Sequence, residues 1–174
     1  MNKKTLLLSL TAFCFMAQVS GQVKCPVKKI YAYKQASLPG IQPRTAEKGG
    51  VERKETFNYW FYLSFPDSKN ININNIWIAG KKFSVKTETV ETSPVNKSNN
   101  ISSAGNETTE LVPKTKHRVI LIYPSGLNND EEELSARILK KIKKNELVIN
   151  FTWKEKKRFA GKKLIKVLSP EALP

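Results

Sequence analysis

A ten-residue stretch of alternating side chains constrains the fold of this chain more than any other feature of its sequence. Between Thr56 and Phe65 every second residue is aromatic or leucine, and this period of two is typical of a β-strand. One face must lie in a hydrophobic core, because burying large apolar side chains is strongly favourable. The other face carries Trp60 and Tyr62, which we expect to be partly covered and partly exposed. The predicted core face consists of Phe57, Tyr59, Phe61, Leu63 and Phe65.

Further alternating and apolar segments predict a mainly β fold. Isoleucines between residues 71 and 78 alternate except for one extra residue at Asn74-Asn75, which predicts a β-bulge. Gly80-Lys81 fits a type II′ hairpin turn, because that turn takes glycine at its first central position. The apolar run at residues 117–123 predicts a strand buried on both faces. Other predicted strands lie at residues 27–35, 83–87, 146–153 and 159–168.

One segment is expected to form no regular structure. Residues 93–109 consist mostly of asparagine, serine and threonine, with almost no apolar side chain. Such a segment buries too little surface to offset the entropy that ordering costs. We therefore expect a mobile loop there.

A single short helix is predicted near residues 130–144. Asn129 or Asp130 is a suitable N-cap, and glutamates at 131–133 followed by lysines in the last turn complement the helix dipole. Three apolar residues spaced by four form one stripe, which favours packing against a sheet over lying on a membrane surface. The stripe consists of Leu134, Ile138 and Ile142.

This pattern of elements favours an antiparallel β-sandwich, immunoglobulin-like in general pattern, with the one helix at its edge. The Cys–Trp–Cys arrangement of antibody domains is absent, so the likeness is one of pattern only. Without the first 21 residues the chain has 153 residues, enough for one well-buried core. We expect a single domain over residues 22–174.

The first 21 residues predict a cleavable signal peptide. Lys3-Lys4 supplies the positive end, residues 6–16 are apolar, and Val19 and Gly21 are small enough for a cleavage site. The apolar run is too short to span a bilayer of about 30 Å, and no second run of about 20 residues follows. We therefore expect an exported protein that is not integral to a membrane. Periplasm, outer membrane and medium all remain open as its location.

The two cysteines exclude one kind of anchor and one kind of stabilisation. Cys14 follows Phe13 and Cys25 follows Lys24, and neither preceding residue is the small one that a lipid-attachment box needs. After cleavage Cys25 is the only thiol, so an internal disulfide is impossible. Cys25 can pair with another chain, react, or be buried and inert. We expect the buried thiol.

The sequence offers little for catalysis or metal binding. A zinc site needs three or four ligands, and the predicted mature chain has one histidine, His117, and one cysteine. A serine triad would have to combine His117 with Asp67 or Asp130, and no nucleophile-elbow motif is present. No carboxylate stands in an apolar segment that would raise its pKa. We expect a non-enzymatic protein without cofactor, for which a small-molecule substrate is not favoured.

The positive charge is concentrated in one part of the chain. The formal net charge is +15, or +13 once Lys3 and Lys4 are removed with the signal. Residues 137–166 carry +10 of this, which indicates a surface that attracts anionic partners. Sequence alone does not show whether these residues meet in space. The predicted binding residues are Lys140, Lys141, Lys143, Lys144, Lys154, Lys156, Lys157, Arg158, Lys162 and Lys163.

Two functions of different class fit these observations. The first is an accessory or scaffold protein of a bacterial cell envelope, which docks on a protein partner through the sandwich surface and the aromatic residues Trp60 and Tyr62. The second is an electrostatic binder of anionic envelope polymers, such as lipopolysaccharide, cell-wall glycan or nucleic acid, through the basic region 137–166. The first is favoured.

Overall fold

Ten β-strands and one α-helix make up the described part of the chain in the computed structural model, which covers residues 25–38, 56–101, 105–130 and 132–172. The predicted signal peptide, residues 1–21, lies outside these residues. A mainly β fold with one short helix is confirmed. The elements are β1 (Lys29–Leu38), β2 (Thr56–Phe65), β3 (Asn72–Ile78), β4 (Lys81–Val90), β5 (Val95–Ile101), β6 (Gly105–Val112), β7 (Arg118–Leu127), α1 (Ala136–Lys144), β8 (Leu147–Trp153), β9 (Lys156–Lys162) and β10 (Lys166–Ala172).

Eight of these strands form one curled sheet in the order β10-β1-β2-β7-β4-β3-β8-β9. Every neighbouring pair is antiparallel except β1 and β10, which run parallel. The sheet curls so far that β9, at one end of the order, approaches β1, next to the other end. Strands β5 and β6 form a separate two-stranded ribbon. The immunoglobulin-like sandwich of two facing sheets is therefore not confirmed.

The inner face of the curled sheet holds the main core. Phe61, Leu63 and Phe65 of β2 are fully buried there and belong to the same cluster as Ile149 and Phe151 of β8. The predicted orientation of β2 is therefore confirmed for these three residues. The first residues of β2 extend beyond the core, so Phe57 is 39% exposed although it lies on the same face of the strand.

The β5–β6 ribbon replaces the loop expected at residues 93–109, and that expectation is wrong. Antiparallel pairing of β5 with β6 satisfies the backbone of the polar segment. The apolar anchors lie at its ends, where Val95 is half-buried and Leu111 and Val112 are buried against the outer face of the main sheet. Leu111 and Val112 lie just after residue 109. The composition of residues 93–109 therefore did not include the buried apolar side chains that anchor β6.

The helix begins later than its sequence suggests. It starts at Ala136, with Ser135 at the N-cap, and its first turn holds no acidic residue. Glu132 precedes the helix and instead forms ion pairs with Lys82 on β4, at 3.3 Å, and Lys157 on β9, at 2.8 Å. The predicted start near residue 130, with Asn129 or Asp130 as the N-cap and Glu132 in the first turn, is therefore wrong, and Glu132 binds lysines of the sheet instead.

The β3–β4 turn and the last predicted strand also differ in detail from the predictions. The β3–β4 hairpin is confirmed, but its turn residues are Ala79 and Gly80, with φ of 48° and 82°. Two positive φ values define a type I′ turn, not the predicted type II′. The predicted bulge is confirmed by a register shift between Ile73 and Asn75. The single strand predicted at residues 159–168 is in fact divided between β9 and β10.

Candidate functional site

The outer face of the sheet carries the two aromatic residues predicted to dock a partner, and the chain covers that face itself. The side chain of Tyr62 is only 3% exposed and lies in a cluster with Tyr33, Leu111 and Val112 beneath the β5–β6 ribbon. Burial raises the pKa of Tyr62 to about 12, with smaller contributions from neighbouring tyrosines. The expected exposure is therefore wrong for Tyr62, because the ribbon occupies the surface where a partner was expected.

Trp60 lies at the margin of the same cluster. Its ring is half-buried, and the ammonium group of Lys97, from β5, lies 4.0 Å from the ring centroid. A lysine at this distance forms a cation–π contact, which helps to hold the ribbon on the sheet. Part of Trp60 remains accessible, so its docking role stays a prediction.

Helix α1 brings the two halves of the basic region together. It packs on β8 and β9 through Ile142, which lies in a small cluster with Trp77 and Val148. The Lys141 ammonium group donates a hydrogen bond of 2.7 Å to the carbonyl oxygen of Phe159 on β9. The helix therefore forms a layer over the side of β8 and β9 that carries Val148 and Phe159.

Two further contacts define the ends of this layer. Near the start of α1, the Lys157–Glu132 ion pair joins β9 to the segment before the helix. This pair, with Lys82, lowers the pKa of Glu132. Near the end of α1, Lys143, Lys144 and Lys163 line one shallow cleft. We call α1 and β9, with the loops at their ends, the basic face. The predicted binding residues carried by these elements and loops are Lys140, Lys141, Lys143, Lys144, Lys154, Lys156, Lys157, Arg158, Lys162 and Lys163. Those on β9 alternate between the two sides of the sheet, so Lys157 lies on the α1 side, with Phe159, and Lys156, Arg158 and Lys162 lie on the other side.

The residues of the basic face differ in their burial and in whether they already form hydrogen bonds within the protein. Lys141 and Lys157 bind atoms of the protein itself, and Arg158 is half-buried. The side chains of Lys140, Lys144, Lys154 and Lys156 are exposed. The exposed lysines can contact a large anion without breaking an existing hydrogen bond, which makes them the better candidates for binding.

A groove between β1 and β9 was not predicted from the sequence. Residues 29–33 of β1 form one wall and residues 161–166 form the other. Both segments are fully described, and strand pairing joins them at Tyr33 and Lys166 alone, where β10 begins to pair with β1. We call this groove the seam. No local signal marks it, because it arises from the order in which the strands join the sheet.

Two large apolar side chains near the seam are exposed to solvent. Leu164, in the turn between β9 and β10, is 71% exposed, and Val167 on β10 is 61% exposed, whereas Ile165 between them is buried. The sequence predicted all three as residues of one closing strand. The sequence did indicate that Leu164 and Ile165 cannot both be buried on one face, since neighbours on a strand point to opposite faces.

The single remaining cysteine lies at one end of the seam. Cys25 is exposed, so the expectation of a buried thiol is wrong. It lines a shallow depression together with Lys28, Lys29 and Lys162, and two of these lysines also line the seam. The thiol is therefore accessible to reagents, and its rate of alkylation can show whether this part of the surface is covered.

His117, the one histidine of the chain, immediately precedes β7 and is half-buried. Its backbone N–H donates to the Thr115 hydroxyl at 3.1 Å, which places it in a structural turn. Among the described residues, no group of three or more histidine, cysteine or acidic side chains is arranged to hold a metal ion.

Comparisons with known proteins do not assign a family. No protein-family model, curated protein or solved structure matches this chain. The described residues contain no helix long and apolar enough to cross a membrane.

Proposed function

We propose that this chain is an exported, non-enzymatic accessory or scaffold protein of a bacterial cell envelope, which binds a protein partner at the β10 edge of its curled sheet. The observation that supports this proposal is the exposure of Val167, on β10, and of Leu164, in the turn that leads into β10. Large apolar side chains exposed together at a sheet edge are typical of interaction sites. The signal-like residues 1–21 support export.

The surroundings of this apolar pair also favour a protein partner. Lys162, Lys163 and Lys166 flank Leu164 and Val167 in the sequence, so apolar anchors lie within a polar, positively charged rim. Interfaces between proteins commonly have this anatomy, with most of the binding energy in a few central anchors. A simple polyanion would use the lysines and leave the apolar side chains in water.

The pair Leu164→Glu and Val167→Glu tests this proposal by capture from solubilised envelope on the tagged protein. We expect the wild-type chain to retain a stoichiometric amount of a partner protein in high salt. The double variant should retain about one tenth of that amount or less, because two apolar anchors are removed. Leu127→Glu is the matched control, since Leu127 is 58% exposed at the far end of β7. Equal retention by all three proteins would contradict the proposal.

A second candidate function, electrostatic binding of an anionic envelope polymer, is favoured by the packing of α1 on β9. This packing brings together two elements that carry most of the lysines of residues 137–166, which supports the second hypothesis. Binding of this kind depends on counterion release and weakens steeply with salt, which separates it from docking through apolar anchors.

Heparin serves as a model polyanion for this second candidate. Lys144→Glu, Lys154→Glu and Lys156→Glu together should weaken heparin binding by about tenfold or more and flatten its salt dependence, because three contacts become repulsive. These positions are exposed, unlike Arg158, so the fold should tolerate the change. The control reverses Lys86, on β4, and Lys114 and Lys116, between β6 and β7, which are also exposed and lie outside α1 and β9. Equal losses in both triple variants would show that net charge, not the basic face, binds heparin.

A further inference from the structure

The seam is bounded by two strand segments that each have a partner on one side only. Strand β1 pairs with β2 along residues 29–37, but β10 joins its other side only from Tyr33 onward. Residues 29–32 therefore present an open edge. Strand β9 pairs with β8 on one side, and no described strand pairs with its other side. The curl of the sheet makes these two open edges face each other.

Open strand edges present rows of backbone N–H and C=O groups that can pair with a further strand. Proteins commonly protect such edges or use them to take up an extended segment of a partner. Here the closure of the sheet is incomplete, and the groove between the edges has a volume of about 710 Å³. The geometry is therefore suited to an extended polypeptide.

The chemistry of the seam indicates which kind of segment fits. Its inner side is apolar, since Ile30, Ala32 and Ile165 belong to the buried core at this point. Lysines are the only charged residues that line it, and they come from both walls. These lining lysines are Lys29, Lys162, Lys163 and Lys166. A segment with alternating apolar and acidic side chains would complement both the core side and the lysine side.

We infer that the seam takes up an extended, acidic segment of a protein partner by strand addition. This inference rests on the proposed function and specifies the chemistry of its partner. A second copy of this chain is disfavoured as the occupant, because the net charge of +15 would bring two lysine-rich surfaces together. Leu164 lines the seam and is exposed, so it is positioned to contact an apolar side chain of the bound segment.

A designed peptide series tests the inference on the whole protein. The probe is a fluorescent ten-residue peptide of alternating glutamate and valine, with binding measured by fluorescence anisotropy. One control peptide carries lysine in place of glutamate, and another carries proline in place of two inner valines. We expect the acidic peptide to bind at least about tenfold more tightly than the proline peptide, because proline lacks the N–H that pairs with a strand edge. The lysine peptide should not bind.

Two readouts on the protein place the peptide. Hydrogen exchange should slow at backbone amides of residues 29–32 and 161–163, since strand pairing protects the amides that it bonds. Lys29→Glu, Lys162→Glu and Lys166→Glu together should abolish binding, whereas reversal of Lys86, Lys114 and Lys116 should leave it unchanged. The Cys25 thiol, at one end of the seam, provides an independent check, because a bound peptide should slow its alkylation.

The outcomes separate this inference from the proposed function. Equal binding of the acidic and proline peptides, or protection only of amides outside the seam, would overturn strand addition. If the acidic peptide does not bind but an envelope partner is still retained in high salt, the seam inference is wrong and the proposed function stands. Peptide binding without any retained partner would support the seam and contradict the proposed function.

Discussion

Phe61→Ala is expected to lower the free energy of unfolding by about 3–5 kcal/mol, one of the largest effects of any single substitution in this chain. Phe61 is fully buried in the main core, where its ring packs beside Tyr59 at 5.7 Å between centroids. Removing the ring loses its burial and leaves a cavity that a β-sheet core only partly fills. Since small domains are stable by about 5–15 kcal/mol, such a loss approaches the whole margin. Urea denaturation followed by tryptophan fluorescence measures it.

Phe57→Ala is the matched control, on the same strand and the same face. Phe57 is 39% exposed, so its truncation should cost no more than about 1 kcal/mol. Both substitutions replace phenylalanine with alanine, so the difference between their losses in free energy of unfolding shows where along β2 the core begins. Similar losses at both positions would show that the first residues of β2 are covered in solution.

Local pattern was sufficient wherever the determining contacts lie on one strand or between adjacent strands. The alternation over β2 predicted both its limits, Thr56–Phe65, and the side that faces the core. The extra residue among the isoleucines of β3 predicted the bulge, because the side-chain period of a strand is fixed at two. These features follow from backbone geometry and need no knowledge of distant residues.

Local pattern failed where distant residues decide the structure. The polar segment around β5 forms a ribbon because Leu111 and Val112 bury themselves against Tyr33 and Tyr62, far away in sequence. Glu132 has the position of a residue of the first helical turn, yet two lysines of the sheet bind it in place of the helix dipole. In both cases a tertiary contact outweighs a local preference of about 1 kcal/mol or less.

The candidate sites show the same division. The charge pattern identified the lysine-rich segments, but only the packing of α1 on β9 shows that these two segments are neighbours in space. The seam has no sequence signature, because neither β1 nor β9 reveals by itself that its other edge is open. It follows from the curl of the sheet, which brings β9, at one end of the strand order, next to β1, the second strand from the other end.

Tyr62→Ala is the substitution whose effect most clearly separates a structural residue from a docking residue. Tyr62 is 3% exposed and fills the space between the main sheet and the ribbon, so its truncation should cost about 3–5 kcal/mol and loosen β5 and β6. Any accompanying loss of partner binding would then follow from unfolding, and denaturation curves recorded beside the binding assay would show it. Tyr62→Phe is the matched control, which keeps the ring and should change stability by about 1 kcal/mol or less. We expect Tyr62→Phe to retain the envelope partner fully. If it instead loses the partner at unchanged stability, the Tyr62 hydroxyl contacts that partner, and the ribbon must move aside when the two proteins bind.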